Sequence, residues 1–252
     1  QGLVSPSQNL VDAFPDNNGR PITDPASSYQ ANNPYANRDP RLALTVFTNG
    51  TNTTRYRWLN QDLELFEGGR SKPNTNVVQT RTGYYLRKFL GDFTNNAAYS
   101  NQNHNFPLFR VSEVRLNYAE ALNEVGRTED AITQLIEVRR RAGLQAGTGN
   151  RYGIPVGISQ VAARELIRNE RRIELAFEEH RFWDVRRWKI AETVLNGPLN
   201  GIKIVRTATT PFTYTYERTV VTNMIFQPKL YYMPLPYDET TKNLNLVQNP
   251  GW

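Results

Sequence analysis

The chain of 252 residues contains no cysteine and only two histidines, His104 and His180. The first absence excludes disulfide staples, thiolate chemistry and cysteine-ligated zinc. It fits many compartments and selects none. With two histidines and neither an H-x-x-x-H nor an H-E-x-x-H spacing, a zinc-protease centre has no basis. A serine triad would have to use one of those two histidines, and there is no G-x-S-x-G elbow to carry its nucleophile. Walker loops and G-x-G-x-x-G fingerprints are also missing, so nucleotide binding is unsupported and no cofactor is expected. No apolar run approaches the ~20 residues of a membrane helix, and no signal peptide opens the chain.

Thirty basic residues against twenty-four acidic ones give a formal charge of +6. The basic residues are interleaved with Glu and Asp, most densely between Arg164 and Arg187, and no nucleic-acid-binding signature accompanies them. A nucleic-acid partner is therefore not expected. Glu170, Glu174 and Glu178 recur every four residues among Arg168, Arg171, Arg172 and Arg181. A glycosidase needs one carboxyl with a raised pKa, whereas carboxylates beside guanidinium groups are held low. A charge-paired helix face is the better reading, and the chain is not read as an enzyme.

Helical periodicity begins at Arg110. Val111, Val114, Tyr118, Ala121, Leu122 and Val125 predict one apolar stripe, ended by Gly126. Thr128 is the expected N-cap of a second helix, with Ala131, Ile132, Leu135, Ile136 and Val138 on its stripe and Gly143 at its end. Ala119 and Ala131 are small enough to let the two helices approach closely, as in a tetratricopeptide unit. One such unit cannot cover its own apolar face and is expected to stack on other helices. Ser159 caps a third helical region over 159–195, with a break near Glu179-His180. Alternation at Ile202/Ile204 and Phe212/Tyr214/Tyr216 predicts short strands or a hairpin within 196–252. Residues 1–40, 48–57, 66–80 and 95–105 read as loops. The fold class is mainly α, with long structured loops and minor β hairpins.

Five strings recur in a fixed order: Asn37-Arg-Asp-Pro-Arg41, Thr82-Gly-Tyr-Tyr-Leu-Arg-Lys-Phe89, Arg110-Val-Ser-Glu-Val-Arg-Leu-Asn-Tyr-Ala-Glu-Ala121, Arg168-Asn-Glu-Arg-Arg-Ile-Glu-Leu-Ala-Phe-Glu-Glu-His-Arg-Phe-Trp-Asp-Val-Arg-Arg-Trp188 and Tyr231-Tyr-Met-Pro-Leu-Pro236. Together with the tail Asn243–Trp252 they resemble the C-terminal half of the SusD/RagB family, glycan-capture lipoproteins of Bacteroidetes outer membranes. The resemblance implies that residues 1–252 form the C-terminal region of a SusD-like helical fold. It places the N-terminal half and the lipid anchor outside this chain. It further implies surface binding of an oligosaccharide, or of a peptide in RagB-type relatives, for delivery to a SusC-like TonB-dependent barrel transporter in the outer membrane. A helical-repeat module that binds only a protein partner is the rival reading.

A sugar ring offers an apolar C–H face and a rim of hydroxyls, which proteins meet with flat aromatics and planar hydrogen-bonding groups. Aromatics in polar loops are therefore the candidates. Tyr56 and Trp58, with Arg55, Arg57 and Asn60, form the first cluster, in a stretch that contributes ligand-dependent loops in the resembled family. Tyr29 and Tyr35 form a second group, and Tyr99 in its Asn-rich surroundings is a third. Trp183, Trp188 and Trp252 lie in the resemblance's structural strings and are read as packing residues.

Overall fold

The computed structural model describes residues 4–51, 61–72, 79–91, 107–243 and 245–252. The chain opens with a single turn, α1 (Gln8–Val11), capped by the Ser7 hydroxyl, and continues to α2 (Pro40–Thr45). Asp39 caps α2 by accepting from Arg41 N, and Pro40 occupies the first turn, where its missing N–H is harmless. Strand β1 (Val46–Phe47) pairs antiparallel with β2 (Tyr85–Leu86). The first core gathers around them: Val11, Phe14, Leu42, Phe47, Leu65 and Tyr84 are all buried there.

The helical hairpin consists of α3 (Val111–Glu124) and α4 (Thr128–Ala142), folded back on each other through Gly126. Ala119 and Ala131 are both fully buried, and α5 (Gln160–Glu174) closes the layer to make the second core. The α4 stripe is the expected one. The α3 stripe is not. Its buried arc is Ser112, Leu116, Ala119, Leu122 and Asn123, while Val111, Val114, Tyr118 and Val125 face solvent, Val111 being 72% exposed. The helix carries two apolar arcs, and polar residues disguise the buried one. Asn123 is satisfied inside it, because its side-chain amide donates to Gln160 O (3.0 Å) and its Oδ1 accepts from Thr128 Oγ1 (3.1 Å). Thr128 is thus the first helical residue and gives its hydroxyl to α3 instead of capping α4. The expected stacking on another helix is met by α5, while among the described residues the outward arc of α3 stays exposed.

Ser159 does cap α5, by accepting from Ala162 N. The break comes where it was expected. Phe177 and Glu179 both take left-handed φ values, 63° and 66°, and turn the chain into α6 (His180–Arg187). A further turn, α7 (Ala191–Val194), precedes a hairpin of β3 (Gly197–Thr209) and β4 (Phe212–Met224). In this hairpin Ile204 faces Tyr216. These strands are longer than the short ones expected, and Ile202 and Ile204 reach into the first core. The last helix is α8 (Tyr237–Lys242). Among the described residues no helix is long and apolar enough to cross a membrane.

Candidate functional site

Where the two cores meet, charge replaces hydrocarbon. Arg139, 1% exposed, donates through Nε to Glu170 Oε2 (2.8 Å) and through Nη1 to Tyr152 O (2.7 Å). The other Glu170 oxygen lies 2.7 Å from Arg41 Nη1, in an ion pair without a straight hydrogen bond. Arg41 also pairs with Asp39 and Glu174, and Arg110 links Glu174 to Glu178, which Lys88 completes. Glu178 lies beyond the end of α5 and so is not on the helix face assigned to it. It joins the same network through Arg110 (2.7 Å).

Burial alone pushes the Glu174 carboxyl up, but the Arg41 and Arg110 guanidiniums outweigh it and bring the pKa to about 2. Glu170 and Glu178 are lowered too, burial again opposing and the neighbouring cations winning. This is the direction expected from the sequence, and the opposite of what a general acid needs. It has a consequence for acid stability. A carboxyl whose folded pKa lies below its ordinary value near 4.5 contributes stability that is fully present above that value. The contribution is lost as pH falls from about 4.5 through about 2. Urea midpoints measured from pH 6 downward should therefore fall below pH 4.5, and Glu174→Gln should flatten that fall. An unchanged acid slope in the variant would deny Glu174 its part.

Of the candidate aromatics, Tyr29 and Tyr35 are described. Tyr29 is half-buried, with the Arg38 guanidinium 5.3 Å above its ring. Arg38 is itself buried, donating to the carbonyls of Val11, Phe14 and Pro34. Tyr35 packs edge-on against Tyr84 (6.2 Å) and Tyr216 (5.6 Å) at the margin of the first core. Its phenol pKa is raised well above the ordinary value, first by burial and then by Tyr84. That ring is engaged in packing. Tyr56, Trp58, Arg55, Arg57 and Asn60 lie outside the described residues, as does Tyr99.

The residues on either side of the stretch 52–60 are well defined. Gly50 N donates to Leu63 O (2.8 Å), Leu63 N to Thr51 O (3.1 Å), and Leu65 N to the Asn49 side chain (2.8 Å). Leu63 and Leu65 are buried in the first core, and through them the residues on both sides of 52–60 are fastened to it. Asn49 lies near the Tyr216 phenol, the ring on which Tyr35 packs. Tyr216 thus stands between Tyr35 and the residues that flank 52–60.

Comparison with known proteins agrees with the motifs. The model of the SusD family matches residues 1–252. The chain belongs to the SusD family. It is 34% identical over 176 residues to SusD-like protein P2 of Formosa agariphila, an alignment covering 67% of this chain and 29% of that protein. Among solved structures, a SusD-like protein of Bacteroides fragilis superposes with a TM-score of 0.79 at 30% identity, covering 98% of this chain and 47% of the other. A SusD-like carbohydrate-binding protein from the same species superposes at 0.73 with 28% identity, covering 96% and 48%. The chain thus spans about half the length of these solved relatives.

Within this SusD-family frame the tryptophans divide. Trp188 is structural: its indole N–H donates to Glu120 (2.7 Å), and Arg168 and Arg187 flank its ring. Trp252 remains 43% exposed and is held mainly by indole hydrogen bonds to Lys229 O and Tyr232 O (both 3.1 Å), not by burial. Trp183 departs from the packing role. It is 61% exposed and touches Phe182 edge-on at 4.9 Å. The sequence does carry a clue. On an eight-residue helix whose buried residues are Asp184 and Val185, position 183 turns outward.

Proposed function

We propose that this chain is part of a non-enzymatic, cell-surface oligosaccharide-binding protein that delivers its ligand to a SusC-like TonB-dependent barrel in the outer membrane. The observation that carries the reading is the fastening of the residues on either side of 52–60, the stretch that bears Tyr56 and Trp58: Gly50 N donates to Leu63 O and Leu65 N to the Asn49 side chain. The likeness to a carbohydrate-binding relative supports the ligand class. The low carboxyl pKa values across Glu170, Glu174 and Glu178 support the absence of hydrolysis.

Trp58→Ala is expected to weaken oligosaccharide binding by about 2- to 10-fold, the scale of a lost aromatic stacking contact. The thermal midpoint should stay unchanged. Calorimetric titration with the best hit from a glycan array, beside a melting curve, checks both. A variant that unfolds would give Trp58 to the core and move the site elsewhere. Delivery is tested separately, by purifying the protein from native outer membranes: recovery without any barrel transporter would defeat the import step.

One observation favours a second reading, a surface for a peptide or protein. Leu108, Phe109, Val111, Val114, Tyr118 and Val125 make an exposed apolar stretch at the start of and along α3, with Phe109 82% exposed. Apolar patches of this kind mark protein contacts. A silent glycan array together with a stable protein complex would favour that reading.

A further inference from the structure

A cleft of about 620 Å³ opens between α1, the α5–α6 junction and the near end of the β3–β4 hairpin. It is of the size that small ligands occupy. Its walls are apolar where Leu10, Phe177, Phe182, Leu195 and Met224 line it, and its charge is concentrated in arginines.

Those arginines differ in how they are satisfied. Arg218 is neutralised by Asp12. Arg172 spends one Nη on the Asn9 carbonyl (2.8 Å) and, among the described residues, has no carboxylate in hydrogen-bond contact. Arg181, half-buried on α6, has neither a hydrogen bond nor an ion pair among the described residues. The acid one turn along its own helix, Asp184, is taken by Arg171 (3.1 Å) and Arg187 (2.8 Å). Glu179 stands exposed at the rim and is not paired with Arg181. Burial lowers the Arg181 pKa to about 10, and the like charges of Arg172 and Arg168 pull the same way. Guanidiniums gathered at one wall of a cleft, one of them unpaired, call for an anion.

We propose that this cleft is a ligand subsite in which Arg181 and Arg172 take the oxoanion of an acidic saccharide, a uronate carboxylate or a sulfate ester. The apolar wall at Phe182 and Leu10 receives the sugar's C–H face. This rests on the saccharide reading above and adds to it the charge of the ligand. The subsite is separate in sequence from the Trp58 loop.

The first measurement is arginine Nε–H NMR with sodium sulfate added at constant ionic strength. The Arg181 signal should move saturably, while that of Arg140, exposed and paired with Glu137, should not. The second is calorimetry with trigalacturonate and with its neutral methyl ester. The acid should bind at least tenfold tighter. Arg181→Gln should abolish that preference, and Arg181→Lys should keep part of it, a point charge replacing the fork. The thermal midpoint of Arg181→Gln should not fall, since the substitution removes a partly desolvated charge whose repulsion by Arg172 and Arg168 opposes its attraction to Asp184 and Glu165. A merely structural arginine would lower it.

No saturable sulfate response at Arg181 in the unaltered protein overturns the subsite, whatever the variants do. A response to sulfate that trigalacturonate cannot displace, but a glutamate-rich peptide can, overturns the saccharide assignment. Neutral glycans binding equally to both proteins, with Arg181 silent to sulfate, would sink the subsite while leaving the oligosaccharide reading intact.

Discussion

Glu170→Gln is expected to lower the unfolding free energy by about 3–5 kcal/mol, the scale of breaking a buried ion pair from one side. Glu170 is fully buried and holds Arg139 and Arg41 at once. The amide keeps the shape and can still accept one hydrogen bond, but it removes the negative charge, leaving the buried Arg139 guanidinium with neutral partners alone: the amide and the Gly19 and Tyr152 carbonyls. The urea midpoint should drop with little change in slope. Glu165→Gln is the companion measurement, because Glu165 pairs with Arg168 at the surface, where such pairs contribute about 0–1 kcal/mol. Equal losses in the two variants would mean that the buried network does not hold the cores together.

The same network shows what could be read from the sequence and what could not. Arginines and glutamates at four-residue spacing announced a paired face. Spacing within one segment could not announce that the partners come from Arg41, Lys88 and Arg110, more than sixty residues away. The α4 stripe is legible because its inward residues are aliphatic apart from Arg139, which enters the buried ion network. The α3 stripe was misread because Asn123, Glu113 and Ser112 sit on the buried side while valines sit outside. For Asn123, burial follows from satisfied hydrogen bonds, which hydropathy does not record. At the candidate site, composition pointed to Tyr35 as a loop aromatic, but its ring meets Tyr216, a residue 181 positions later in the chain. Arg181 was visible as part of a charge-rich string. Its lack of a partner among the described residues is visible only once Asp184 is seen committed elsewhere.

Gly83→Ala is expected to destabilise the protein by roughly 2–5 kcal/mol, combining ~1–2 for a left-handed residue with ~1–3 for overpacking. Gly83 stands in the Thr82-Gly-Tyr-Tyr string and has φ +81°. A methyl group there would lie 2.3 Å from Ile202 O and 2.7 Å from Ile202 Cγ2. The contact is mutual. Ile202 N donates to Thr82 O (2.8 Å), and a methyl on Gly201 would come within 2.8 Å of Thr82 Cα. At this crossing the β3–β4 hairpin lies backbone to backbone against the segment leading to β2, and from it Ile202 and Ile204 enter the first core. Tyr216, opposite Ile204, is thereby placed near Asn49, among the residues that flank 52–60. The glycine thus acts on the candidate site through position alone. Gly126→Ala separates the two causes: φ is +80° there, but nothing lies within 4 Å of the added methyl, so only the backbone cost of ~1–2 kcal/mol remains. Denaturant midpoints of the two variants give the difference. If Gly83→Ala proves no worse than Gly126→Ala, the crossing yields easily and the hairpin is not held at Gly83. If it proves clearly worse, oligosaccharide affinity should fall with it, because the residues flanking 52–60 would shift while Tyr56 and Trp58 are kept.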